Sequence, residues 1–108
     1  MLYLILLHYQ RPLSEVEAHL AAHRAYLHHH FRSGHFLLSG RREPRIGGVI
    51  LARAESQEEV TAWAAEDPFC QAAVANYEIL AWMPGLRSAD VPPELAPAAQ
   101  LAGVIEEA

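Results

Sequence analysis

Residues 2–9 read LYLILLHY, from Leu2 to Tyr9, and this run decides the fold. It is almost continuously apolar and is bounded by Gln10, Arg11 and Pro12. That is the pattern of a central strand, covered on both faces or across an interface. With Met1 it forms an apolar opening that has no basic flank and no small-residue cleavage site, and it is too short to span a bilayer. The expectation is therefore a buried strand, with no membrane association.

Outward from this strand, Ser14 is placed to cap a helix with Glu15 and Glu17 in its first turn, running to about Ser33, where Gly34 supplies a left-handed stop. His35 to Arg41 reads as a second strand and Gly48 to Ala54 as a third, paired as a hairpin across the glycine- and proline-containing turn of residues 40–48. Ser56-Gln57-Glu58-Glu59 fits a capping box, and the helix it opens should end near Asp67, stopped by Pro68. Pro68 to Ala75 is a short connection. Asn76 to Met83 is a fourth strand, with Tyr77, Ile79 and Ala81 on one face and Leu80 and Trp82 on the other.

The order βαββαβ is that of an α+β, ferredoxin-like domain: one antiparallel sheet with two helices on one face. It spans residues 1–84 and leaves a Pro/Ala-rich C-terminal extension, 85–108. In that extension Pro92-Pro93-Glu94 either starts a helix running to Glu107 or belongs to a partly ordered arm. A sheet covered on one side needs something on the other, so a homodimer or higher homo-oligomer built from sheet faces is expected, with Trp82 and Tyr3 on the outer face.

The 108 residues make one small domain. Hydrophobic residues are 52% and charged residues 19%, an apolar balance that also points to an oligomer interface. Thirteen acids outnumber eight arginines, no lysine is present, and the formal net charge is -5, which argues against nucleic acid and leaves a small molecule or a protein as partner. Cys70 is the only cysteine, so no internal disulfide and no Cys-based metal site can form, and a reducing cytoplasm fits.

Two polar residues interrupt apolar stripes. Val16, Leu20, His23 and Leu27 fall on one side of the first helix, and Val60, Trp63, Ala64 and Asp67 on one side of the second. Both His23 and Asp67 should therefore point inward. A carboxylate at the end of a helix and out of water is doubly disfavoured, and an imidazole across the same sheet would offset the cost. Such a pair has the logic of a general acid-base site, in which the carboxylate orients the imidazole. The structural alternatives are a core histidine bonded to a carbonyl and an aspartate capping the Asp67-Pro68-Phe69 turn.

Seven histidines invite a metal, yet no ligand set emerges. His19 and His23 enclose Leu-Ala-Ala without the glutamate of a metalloprotease helix, and His23 and His30 lie about 10.5 Å apart along the axis. The run His28-His29-His30 spreads around the helix as a solvated surface or a subunit contact. Cys70 has no cationic neighbour in sequence and reads as a structural thiol. Ser39-Gly40 ends a strand where glycine permits close backbone approach, a place for a pocket wall.

Taken together, the Met1-Leu2-Tyr3 strand, His23 followed by Tyr26-Leu27 and Gly34, Leu-Leu-Ser-Gly at 37–40, Gly-Gly-Val-Ile at 47–50, Asp67-Pro68-Phe69 and Tyr77-Glu78-Ile79 through Trp82 resemble the YCII (YciI-like) family over residues 1 to about 84. Gly40-Arg41 departs from a frequent Gly-Pro, and the usual Arg-Pro close before the histidine is missing. The resemblance implies a ferredoxin-like fold that dimerises into an α+β barrel, with His23 and Asp67 as the active-site pair. The expected function is proton transfer by that pair on a small cyclic or aromatic molecule, as isomerisation or HX elimination, by a lyase or isomerase that needs no cofactor and no metal. Ser39, Gly40 and Phe69 are the substrate-binding candidates. The alternative is a non-catalytic ligand-binding or assembly module, and an open cavity beside His23 would separate the two.

Overall fold

The computed structural model describes residues 1–103. Its main sheet has the order β2-β3-β1-β4, built from β1 (Leu2–Tyr9), β2 (Phe36–Arg41), β3 (Gly47–Arg53) and β4 (Ala75–Trp82), with every neighbouring pair antiparallel. The LYLILLHY run is a central strand. It sits between β3 and β4 in continuous register, Ile5 facing Ile50 on one side and Ile79 on the other. The connectivity and strand order are those of the ferredoxin-like fold.

Because side chains alternate along a strand, the odd residues of β1 face the helices. Tyr3, Ile5 and Leu7 are buried there with Ile50, Ala52 and Phe36, together with Val16, Tyr26, Val60, Ala64 and Phe69 from the helical layer. Tyr3 is therefore a core residue and not, as the sequence led us to expect, part of the outer face; its partner across the sheet is the fully buried Ala52. Trp82 does lie on the outer side, opposite Leu2 and 48% exposed. At Gly47 a Cβ would overlap the Leu7 carbonyl, so β3 can enter beside β1 only with a glycine there.

The first helical segment departs from expectation. It is broken into α1 (Leu13–Glu17) and α2 (Leu20–Arg32), and Ser14 lies inside α1 without capping it. Pro12 has no N–H to satisfy, and its carbonyl already accepts from the Glu15 and Val16 amides, so the helix starts one residue ahead of the serine. His19, with φ -107° and ψ 8°, then interrupts the helix before α2 begins. Val16 and His23 are nonetheless both buried.

The second helix, α3 (Gln57–Ala65), is capped as the sequence predicts: the Ser56 hydroxyl accepts from the Glu59 amide. The Glu59 carboxylate reaches back one residue further than a capping box requires, to the Glu55 amide at 2.8 Å. Asp67 lies just past α3 and opens α4 (Pro68–Gln71) as its N-cap residue. In the C-terminal extension β5 (Leu86–Arg87) pairs in parallel with β6 (Gln100–Leu101) around a 3-10 turn at Pro93–Leu95. The alternative of a helix from Pro92 is thereby corrected: the prolines and Gly103 favour turns and short extended pieces, while the end of that helix, to Glu107, lies outside the described residues. Among the described residues no helix is long and apolar enough to cross a membrane.

Candidate active site

Helix α2 contributes Leu20, His23 and Leu27 to one side, and the turn between α3 and α4 contributes Asp67 and Phe69. His23 Nδ1 and Asp67 Oδ1 are 2.8 Å apart. The carboxylate is 1% exposed, so an ionised aspartate here is kept from water and needs donors. It has two, both on Oδ1: the imidazole and the Phe69 amide at 2.9 Å. Oδ2 is buried with no partner among the described residues.

That arrangement fixes the imidazole. An ionised carboxylate only accepts, so Nδ1 carries the proton it donates, and the lone pair is left on Nε2. The Phe69 ring lies flat on the imidazole, centroids 4.0 Å apart and planes 8° apart, which holds the ring orientation from one face. The structural alternative for Asp67, capping the turn, and the hydrogen bond to His23 are thus both present on one oxygen.

A cavity of about 450 Å³ opens beside this pair, lined by His23, Phe69, Ser39 and Gly40 among others. Four of the five sequence-derived site residues border it directly. Asp67 stands behind His23, out of the cavity. Leu7, Leu20 and Leu27 make its wall apolar, while Glu17, Arg24, Arg41 and Arg45 bring charge to it. The three arginines were not foreseen as site residues, although Arg24 carried a signal, since it stands four residues after Leu20 and three before Leu27.

Around the pair, burial first and the Asp67 and Glu66 carboxylates next push the Tyr26 phenol up, so its hydroxyl remains a donor, to the Trp63 carbonyl at 2.6 Å. Burial, then Asp67, pushes the Cys70 thiol up to about 12.

A second imidazole cluster lies further along α2. His30, 2% exposed, places Nε2 2.8 Å from Glu66 Oε1 and Nδ1 2.9 Å from His35 Nδ1, and His35 stacks on Trp63 at 3.9 Å. His30 is thus not part of a solvated run; His28 and His29 are exposed, and the third histidine turns inward. Burial lowers its pKa below the usual value, against the opposing pull of Glu66. Among the described residues no three His, Cys, Asp or Glu side chains converge to hold a metal ion.

The sequence profile of the YCII-related domain matches residues 1–83. Among solved structures, the chain is similar to the 5-chloro-2-hydroxyhydroquinone dehydrochlorinase from Burkholderia phenoliruptrix AC1100, determined in complex with 2,5-dihydroxybenzoquinone. The identity is 27% and the TM-score 0.67, over 79% of this chain and 96% of that one. No curated protein matches the chain.

Proposed function

The chain belongs to the YCII-related family, and from that premise we propose that it is an enzyme in which His23 moves a proton to or from a small cyclic or aromatic substrate while Asp67 orients the imidazole. The observation that carries this reading is the 2.8 Å pair whose histidine lines an open cavity. A histidine held only for packing would have close neighbours in place of that volume.

In this reading Nε2 removes a proton from a substrate carbon, and Asp67 stabilises the imidazolium that forms. Where the neighbouring sp3 carbon of the ring, as in the keto tautomer of a halogenated hydroxy-aromatic, bears a halide, the electron pair of the broken C–H bond becomes a new π bond and the halide leaves with the C–halogen bonding pair; the proton passes from Nε2 to water. Where no leaving group is present, His23 returns the proton to a different carbon and the outcome is isomerisation. Phe69 stacks behind the imidazole, and Ser39 and Gly40 form the facing wall against which the substrate lies. The similarity to a dehydrochlorinase favours elimination as the first chemistry to try.

The same reading includes a second copy of the chain against the outer sheet face, where Leu38, Leu80 and Trp82 are exposed. The competing reading, a non-catalytic module, draws on the Phe69 amide bond, because a capping aspartate needs no reaction to justify it. The separating experiment is a screen of halogenated hydroxy-aromatics and lactones for halide release or spectral change. His23→Ala should abolish turnover of any substrate found while leaving a folded protein, and Asp67→Asn should slow it less. A fully active His23→Ala protein would end the acid-base reading.

A further inference from the structure

We propose that the substrate carries a carboxylate remote from the reacting carbon, and that Arg24 is the residue that selects it; this rests on the acid-base reading of the same cavity. Three of the eight arginines line this one cavity, beside a single carboxylate, in a chain whose formal net charge is -5. Two of the three are occupied: Arg45 Nη1 donates to Glu17 Oε1 at 3.1 Å, and Arg41 Nε to Glu43 Oε1 at 3.0 Å. Arg24 makes no hydrogen bond or ion pair among the described residues.

Arg24 is exposed, but its place on α2 sets it at the rim of the cavity. Leu20, Arg24 and Leu27 stand at i, i+4 and i+7 on α2, and all three line the cavity, which gives the arginine's aliphatic stem an apolar row to lie along. Its head is a planar five-donor fork that matches a carboxylate bidentately and holds a lone halide or a neutral hydroxyl much less well. Phe69, stacked on the His23 ring, lines the same cavity, so a flat ring lying over the apolar wall can present a carbon to Nε2 while its carboxylate reaches Arg24. The cavity, about 450 Å³, has the size of a small-molecule site and leaves room for one substituted ring with a carboxylate.

The test is binding to the full chain, read by calorimetry with two probes of nearly equal shape, 2,5-dihydroxybenzoate and 2,5-dihydroxybenzamide. The expected result is that the anion binds about tenfold more tightly than the amide, that Arg24→Gln removes this preference, and that added salt weakens the anion alone. Arg24→Lys should restore part of it, since charge returns without the fork. Equal affinity for the two probes, a preference that survives Arg24→Gln, or no anion binding up to about 10 mM would overturn the proposal. His23→Ala keeps the two readings apart: it should retain the anion preference, so an active His23→Ala protein sinks the acid-base chemistry and leaves the carboxylate site standing. Loss of the preference in Arg24→Gln alone cannot be produced by a failure of that chemistry.

Discussion

Asp67 gathers two donors on one oxygen, and its carboxylate also bears on Tyr26 and Cys70. Cys70, three residues on, faces the same carboxylate and is held in the protonated form, its pKa pushed up to about 12 from 9.0 chiefly by burial. The thiolate is the nucleophile, so a thiol held protonated offers little reactive species at mildly alkaline pH. Iodoacetamide at mildly alkaline pH should therefore label native Cys70 far more slowly than the same thiol in denaturant; equal rates would contradict this burial. His23 and Asp67 were legible in the sequence because each breaks an apolar stripe at a defined angle. His30 was equally legible by angle, seven residues after His23, yet its place inside a His-His-His run disguised it as surface. The pairing of His30 with Glu66 and His35 was not legible at all, since it depends on how α3 packs beside α2 and on the way the chain returns after Gly34.

That return is a helix ending shared by two elements. After α2 the Gly34 amide bonds the Phe31 carbonyl and the His35 amide bonds the His30 carbonyl, with Gly34 at φ +79°; this is the Schellman arrangement, and it is what folds His35 back onto His30. After α4 the same two bonds recur, Ala73 to Cys70 and Val74 to Phe69, but the left-handed position is held by Ala73 at φ +59°. An alanine there bears a Cβ penalty of about 1–2 kcal/mol that a glycine escapes, less the extra freedom glycine adds to the unfolded chain. Ala73→Gly should raise stability by about 0.5–1 kcal/mol, read as a shift of the urea midpoint with an unchanged slope. A destabilised variant would show that the alanine side chain contributes packing that outweighs its backbone strain. Glycine made the first ending predictable from sequence, whereas the second was invisible because alanine gives no such signal. The break between α1 and α2 was hidden for a related reason: no glycine or proline marks it, and the apolar spacing continues across it.

At the scale of the whole molecule, the buried His30 gives stability a pH dependence with a definite sign. Its pKa in the folded chain lies below the ordinary 6.5, because burial outweighs the Glu66 hydrogen bond, so between those two values the unfolded state binds the proton and the folded state does not. Stability should be at its full value above about pH 6.5, fall as the pH drops through that window, and level off once folded His30 is also protonated. Thermal melts of the wild type and His30→Gln across this range check it: the variant should show the shallower fall, and parallel curves would remove His30 as the cause. The remaining molecular-scale question is the outer sheet face. Alternation along the strands puts Leu4, Leu6 and Leu51 there, half-buried, beside Leu38 at 68%, Leu80 at 44% and Trp82 at 48% exposure. Helices cover the opposite face alone, so this apolar surface stays in water unless another chain covers it. A second copy offers the same apolar residues about a two-fold axis, the self-complementary solution that homodimers adopt. Leu80 sits opposite Leu4 in the register, on the strand next to the central one, so a charge placed there would have to give up water within that interface. Sedimentation at micromolar concentration should give a dimer for the wild type and a monomer for Leu80→Arg, whose own helix-side core is untouched because Leu80 points away from it. A wild type that sediments as a compact monomer would sink the dimer, and a dimer that survives Leu80→Arg would move the interface to some other surface.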